Sequence, residues 1–147
     1  MFEKIRDDYD KKYNDALNKT GLFWAFDREQ FDENKTHKDA PDNEYITIGD
    51  GGYLHKSNKT KFDNFFKNIA PKLKADFTSK INIADLIKYE LNNYEAYYIG
   101  DYTQVIIAVK SYYQDLSIEE ITKKVKSIYE MEINRISNDY DNGNIGI

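Results

Sequence analysis

The order of strand-like and helix-like patterns constrains the fold more than any other feature of the sequence. After a helical pattern over residues 2–19, the segments whose pattern predicts strands lie within residues 22–55. From residue 58 onward, apolar residues recur at helical spacing, as Ile83 and Ile87 do. Because the strands come early and the helices late, the sequence predicts an α+β fold rather than a parallel doubly wound sheet.

Three short segments predict a small antiparallel sheet of about three strands, packed against several helices. Leu22–Phe26 is an aromatic run, and Tyr45–Ile48 is rich in β-branched residues. The turn Gly49–Gly52 then returns the chain into Tyr53–His55, because glycine adopts the positive φ that tight hairpin turns need.

Side chains that can cap helix N-termini indicate where the helices begin. Ser117 opens a capping box, and Ser57 or Asn58 can cap a helix that Pro71 is expected to end or kink. A further helix is expected from about Asn82. The other expected elements are a short helix over about 28–34 after the cap Asp27, an aromatic link over 94–100 and a helix from about Asp101.

Length and composition predict one domain over residues 1–139, followed by a flexible tail over residues 140–147. A chain of 147 residues suits a single domain, and its 13 tyrosines and 8 phenylalanines supply much of a core. The tail is expected because the last residues are rich in Asp, Asn and Gly.

The sequence argues against catalysis and metal binding. It contains no cysteine, which excludes a disulfide framework, a thiol nucleophile and a zinc finger. The two histidines, His37 and His55, are too few for a multi-histidine centre. A triad of His55 with Ser57 and Asp50 is possible, but a hydrogen-bonded histidine at a strand end is the favoured interpretation. We therefore expect no enzyme and no cofactor.

A cytoplasmic location is expected from the distribution of apolar residues. The longest purely apolar run, Val105–Val109, is far shorter than the ~20 residues needed to cross a bilayer. The N-terminus is charged from Glu3 onward and lacks the apolar region of a signal peptide.

Acidic residues are concentrated in residues 27–44, which carry seven carboxylates against three bases. Such a segment could imitate the phosphates of a nucleic acid and occupy a basic cleft, or it could be a solvated loop. The candidate residues of this acidic surface are Asp27, Glu29, Asp32, Glu33, Asp39, Asp42 and Glu44.

Residues 56–80 form a basic segment, with seven lysines against two aspartates in a chain of net charge −5. The lysines could contact phosphates of RNA or of a nucleoprotein, or they could be the solvated face of an amphipathic helix with phenylalanines inward. The candidates are Lys56, Lys59, Lys61, Lys67, Lys72 and Lys74. The segment contains no arginine, which argues against base readout.

A cluster of tyrosines could anchor a protein interface or pack where one helix gives way to the next. Packing is the favoured interpretation. The cluster consists of Tyr94, Tyr97, Tyr98 and Tyr102.

Three blocks of the sequence resemble a known family. These are the aromatic block Gly21–Phe31, the hairpin Tyr45–Tyr53 and the late block Asn92–Asp101, within a likeness over about residues 20–136. They are similar to small proteins of Bacteroidota phages and mobile elements, some relatives of which are anti-CRISPR proteins. Tyr94 stands where that family often has histidine, and the resemblance implies no catalytic residue.

The resemblance implies an anti-defence inhibitor that binds a CRISPR-Cas effector nuclease, of the Cas9 or Cas13 type, or its guide RNA in the cytoplasm of a bacterial host. The acidic surface would compete for a nucleic-acid channel, or the lysines would contact the guide RNA. The alternative is an accessory phage protein that binds RNA or DNA through residues 56–80.

Overall fold

The computed structural model describes residues 1–143, in which the chain forms two compact units. The first consists of Met1 and Glu3–Phe77, and the second consists of Phe2 and the chain from Thr78 onward. Helices dominate, and one small antiparallel sheet lies in the first unit, so the predicted α+β fold is confirmed. The single domain expected over residues 1–139 stays a prediction. No helix of the described residues is long and apolar enough to span a membrane.

Most of the described residues belong to helices. The N-terminal part of the chain contains α1 (Phe2–Asn18), β1 (Phe23–Trp24), α2 (Arg28–Asn34), β2 (Tyr45–Ile48), β3 (Gly52–His55), α3 (Lys59–Asn64) and α4 (Ala70–Ser79). Short 3-10 turns precede β2 (Asp42–Glu44) and α3 (Lys56–Asn58), and a π-helical turn (Phe65–Ile69) joins α3 to α4. The C-terminal part contains α5 (Ile83–Asn93), α6 (Ala96–Ile99), α7 (Thr103–Tyr112) and α8 (Ile118–Asp141).

The sheet has the strand order β1-β3-β2, with antiparallel pairing throughout. Tyr53 lies opposite Phe23 on one side and opposite Thr47 on the other. Because side chains alternate along a strand, Phe23, Tyr45 and Tyr53 share one face of the sheet. Phe31 of α2 covers this face, with its ring centroid 5.2 Å from Tyr45 and 5.1 Å from Tyr53.

The amphipathic helix predicted at the N-terminus is confirmed as α1, which ends one residue earlier than expected. Two of its aromatic residues, Tyr9 and Tyr13, pack within the first unit. Tyr9 stacks on Phe77 at 4.6 Å between ring centroids, and Tyr13 meets the buried Phe65 edge-on at 5.1 Å. Burial also raises the pKa of the Tyr13 hydroxyl.

Pro71 was expected to end or to kink the helix that contains it, and it does not end it. Helical structure continues through Pro71 to Ser79. Proline has no backbone N–H, so it cannot make the usual bond to the carbonyl four residues earlier. The distortion instead lies just before it, where the Ala70 N–H bonds to the Phe65 carbonyl five residues back in the π-helical turn.

The second unit has a core built from α5, α7 and α8. Leu91, Val105, Val109 and Ile121 are fully buried in one cluster. The helix expected from about Asn82 is confirmed as α5, and the Asn82 side chain caps it by accepting the Ala84 N–H at 2.9 Å. The predicted cap at Ser117 is confirmed, because its hydroxyl oxygen accepts from the Glu120 N–H at 3.1 Å.

Two expectations for the second unit need correction. The aromatic link over residues 94–100 contains a short helix, α6, bounded by Glu95 at φ 53° and Gly100 at φ 75°. Helix α8 reaches Asp141, two residues into the expected tail of 140–147. Residues 144–147 of that tail lie outside the described residues.

Candidate functional site

The acidic segment 27–44 is held on the sheet by specific hydrogen bonds rather than left as a loose loop. Asp27 caps α2 by accepting the Gln30 N–H at 2.8 Å, which confirms the predicted cap. The Asn34 amide donates to the Trp24 carbonyl at 2.9 Å. Further along, the Tyr45 hydroxyl donates to the backbone carbonyl of His37 at 2.8 Å. The segment is therefore attached to β1 through Asn34 and to β2 through His37.

Arg28 is the electrostatic centre of this segment. Its guanidinium donates to both oxygens of Asp42, at 2.5 and 3.2 Å, and also reaches Asp32 at 3.0 Å. It lies 5.3 Å from the ring centroid of Phe31. The hydrogen bonds from Arg28 hold the pKa of Asp42 below its usual value. One cation thus ties α2 to the turn that precedes β2.

The exposed acidic surface is smaller than the sequence suggests, because several carboxylates are internally paired. Asp32 and Asp42 bind Arg28, while Glu44 binds His55 and lies 3.7 Å from Lys56. Within residues 1–143, Glu29, Glu33 and Asp39 are exposed and make no ion pair. These three carboxylates, with Asp27, are the part of the predicted surface that is open to a partner.

A groove opens between α2 and the adjoining face of the sheet. Its volume is about 440 Å³, in the range of small-ligand sites. It is lined by Ala25, Phe26, Asp27, Arg28, Phe31, Asp42, Tyr45, Thr47 and Tyr53. Sequence reasoning missed this groove. The alternation along β2 and β3 could have placed Tyr45, Thr47 and Tyr53 on one face, but not α2 beside them.

His55 is the last residue of β3 and is almost fully buried, with 6% of its surface exposed. Its Nε2 lies 2.9 Å from a Glu44 oxygen, and its Nδ1 lies 2.7 Å from the Ser57 hydroxyl. His37 stacks on it with 3.9 Å between ring centroids. The expected hydrogen-bonded histidine at a strand end is therefore present, with Glu44 rather than Asp50 beside it.

The trio of Glu44, His55 and Ser57 has the order of a carboxylate, a base and a hydroxyl, but the chemistry favours a structural role. The same Nδ1 also accepts the backbone N–H of Ser57, at 3.2 Å. If Nδ1 took the proton of the hydroxyl, its new N–H would point at the backbone N–H of Ser57 and the two hydrogens would repel each other. His55 is therefore a poor general base for this hydroxyl. His55 instead caps the 3-10 turn that precedes α3. The expected cap at Ser57 or Asn58 is therefore wrong, because Ser57 lies inside that turn and the Asn58 side chain makes no cap hydrogen bond. No group of three potential metal ligands lies together in residues 1–143.

The Glu44–His55 contact predicts an acid-sensitive contribution to stability. The hydrogen bond from His55 lowers the pKa of Glu44 in the folded protein. Such a carboxylate stabilises the fold above its unfolded pKa of about 4.3, and this stabilisation is lost as the pH falls through the lower folded value.

We therefore expect Glu44→Gln to reduce the stability difference between pH 6 and acidic pH, measured by urea unfolding at each pH. The matched control is Glu29→Gln, which removes an exposed carboxylate without an ion pair within residues 1–143. An unchanged pH profile in the Glu44 variant would contradict the proposed contribution.

The basic segment is only partly available. Lys56 lies near Glu44, and Lys59 binds Asp63 at 2.6 Å. Lys74 is half-buried. Three lysines are exposed and make no ion pair within residues 1–143, namely Lys61, Lys67 and Lys72.

The phenylalanines of the basic segment do not all face inward as expected. Phe65 and Phe77 are buried, and Phe62 is partly buried. Phe66 keeps 47% of its surface exposed and contacts Phe62 edge-on at 5.0 Å. An exposed aromatic ring therefore accompanies the free lysines.

The tyrosine cluster separates into two pairs. Tyr97 and Tyr102 pack against Tyr129 of α8, at 5.8 and 5.1 Å between ring centroids. Burial is the main reason that the pKa of Tyr97 is raised. Tyr94 is exposed, and Tyr98 is 92% exposed. Packing therefore accounts for two of the four residues, and the other two face solvent.

A family of unknown function, DUF7659, matches residues 6–135. The chain belongs to this family. The match spans the acidic segment, the groove and the basic segment, and the description of the family names no activity. Comparisons with curated proteins and with solved structures find no match.

Proposed function

We propose that this protein is a non-enzymatic anti-defence inhibitor. It would bind a CRISPR-Cas effector nuclease, of the Cas9 or Cas13 type, or its guide-RNA complex, and block cleavage in the cytoplasm of a bacterial host. The likeness of its aromatic, hairpin and late blocks to proteins of phages and mobile elements supports this partner. Inhibition would be stoichiometric and would need no cofactor.

The observation that carries the proposal is the fixed geometry of the acidic segment. Arg28 connects α2 to the turn before β2, and His55 holds Glu44 at the end of the segment. Glu29, Glu33 and Asp39 are thereby presented on an ordered backbone. A pre-organised surface loses less conformational entropy on binding than a flexible loop does. Its charge would also steer it toward the basic channels of a nuclease.

The test uses carboxylates that the fold does not need. We expect the triple variant Glu29→Gln, Glu33→Gln, Asp39→Asn to raise the inhibitory concentration by roughly tenfold, because each exposed charge contributes a few tenths of a kcal/mol or more. The measurement is cleavage of target DNA by Cas9-type nucleases, and of target RNA by Cas13-type nucleases, with purified inhibitor titrated against each.

The matched control changes three exposed lysines instead, as Lys61→Gln, Lys67→Gln and Lys72→Gln. This variant is expected to inhibit as well as the unaltered protein. If the acidic variant retains full inhibition and the lysine variant loses it, the protein inhibits through contact with the guide RNA and not by competing for the nucleic-acid channel. If the unaltered protein inhibits none of the nucleases, the anti-defence function is wrong.

A second candidate function is a nucleic-acid-binding accessory protein, and the exposed Phe66 favours it. Aromatic rings on which bases stack, beside lysines that contact phosphates, are typical of single-strand binding surfaces. Gel-shift experiments with RNA and DNA at two salt concentrations test this candidate. Binding that weakens steeply with salt and is reduced in Phe66→Ala would support it. The absence of any shift at low salt would reject it.

A further inference from the structure

The groove beside β2 and β3 combines aromatic walls with negative charge. Phe26 has 76% of its surface exposed, and Tyr45 and Tyr53 are partly exposed. Asp27 and Asp42 stand on the lining, against the single cation Arg28. Aromatic faces attract cations, and the excess of carboxylates repels phosphates and other anions. The charge balance therefore favours a cationic occupant.

Arg28 shows which cation this environment accommodates. Its guanidinium lies over the ring of Phe31 and pairs with both oxygens of Asp42. A planar guanidinium can stack on a ring and bind a carboxylate through two N–H groups at once, which an ammonium cannot do. Phe26, Tyr53 and Asp27 also line the groove, so it contains further aromatic rings and a further carboxylate of the kinds that Arg28 contacts.

Asp27 has capacity for a further partner. One of its oxygens accepts the Gln30 N–H at the start of α2. Asp27 is exposed and makes no ion pair within residues 1–143. Its second oxygen can accept an incoming donor without loss of the helix cap.

We infer that this groove binds an arginine side chain of the partner protein, with the guanidinium against Phe26 and Tyr53 and paired with Asp27. The inference rests on the proposed function, because it names the contact through which the acidic segment would engage a basic channel. A partner arginine inserted here would act as a buried anchor, surrounded by the weaker contacts of the exposed carboxylates.

The experiment titrates the 147-residue chain with short peptides and follows backbone and aromatic NMR signals. The probe is Gly-Gly-Arg-Gly-Gly, and the comparison peptide carries citrulline, which keeps the shape but lacks the charge. We expect the arginine peptide to shift signals of Phe26, Thr47 and Tyr53 and to bind at least about tenfold more tightly than the citrulline peptide. Equal effects of both peptides, or shifts confined to other residues, would overturn the inference.

Two variants locate the site. Asp27→Asn keeps a residue that can cap α2 but removes the charge, and Phe26→Leu removes the aromatic face. Each is expected to weaken arginine binding several-fold. The matched control is Asp50→Asn, which removes an exposed carboxylate at the hairpin turn, outside the groove lining. If the control weakens arginine binding to the same extent, the loss in the Asp27 variant reflects only the net charge of the protein, and the inference is overturned.

The two proposals can fail separately. If the arginine peptide does not bind the groove but the triple carboxylate variant still loses inhibition, the arginine site is wrong and the anti-defence function stands. If the peptide binds the groove but the protein inhibits no nuclease, the site stands and its partner belongs to another class of protein.

Discussion

Replacing Gly52 with alanine is expected to lower the free energy of unfolding by about 3 kcal/mol. A Cβ atom at this position would lie 2.3 Å from the backbone oxygen of Ile48 and 3.2 Å from the ring of Trp24. The Ile48 oxygen belongs to the strand that pairs with β3 at this point. It cannot withdraw without disturbing the hairpin, so the strain cannot be relieved by a side-chain rotation.

Equilibrium unfolding in urea measures this effect, and Gly49→Ala is the matched control. Gly49 is in the same turn and has φ 63°, but an added Cβ would meet no atom within 4 Å. The control is expected to cost about 1 kcal/mol, from the left-handed backbone alone. If both variants are equally destabilised, the close approach of Gly52 to β2 is wrong. Because Tyr53 follows Gly52 directly, we also expect Gly52→Ala to weaken arginine-peptide binding.

Truncating Leu91 to alanine is expected to lower the free energy of unfolding by about 3 kcal/mol, within the usual range of 2–5 kcal/mol for buried leucines. Leu91 is fully buried on α5, in the cluster that includes Val105 and Ile121. Two effects add up. The variant loses the stabilisation that burial of the removed side-chain carbons provided, and a cavity is left where they were. Neighbouring helices can close that cavity only in part.

The matched control is Ile107→Ala on α7, where 58% of the isoleucine is exposed. Its expected effect is within about 0.5 kcal/mol, because few contacts are lost and alanine favours the helix. Thermal and urea unfolding, followed by far-UV circular dichroism, compare the two variants. Similar losses in both would contradict the burial of Leu91, or show that Ile107 is covered in solution.

Local signals explain what could be predicted. The caps at Asp27 and Ser117 act over three residues, so their chemistry is visible in the sequence and the structure confirms them. The hairpin at Gly49–Gly52 is equally local. Pro71 was different, because its missing N–H could either stop a helix or be absorbed by a π-helical turn.

Long-range pairing explains what could not be predicted. Arg28 and Asp42 are 14 residues apart, and Glu44 and His55 are 11 apart. Nothing in the spacing shows that these residues meet. From the sequence alone, every acidic residue of the segment was therefore an equal candidate for the exposed surface. Only the folded chain separates the paired carboxylates from Glu29, Glu33 and Asp39.

The sequence by itself determined the α+β class, the hairpin, most of the helices and the separation into acidic and basic segments, because each depends on composition or on neighbours a few residues away. Tertiary structure decided which charges remain open, which tyrosines are exposed and where an aromatic groove lies. These properties depend on the packing of α2 on the sheet and of α8 on Tyr97 and Tyr102. The physical reason is that burial and ion pairing are set by contacts between distant parts of the chain, which no local pattern encodes.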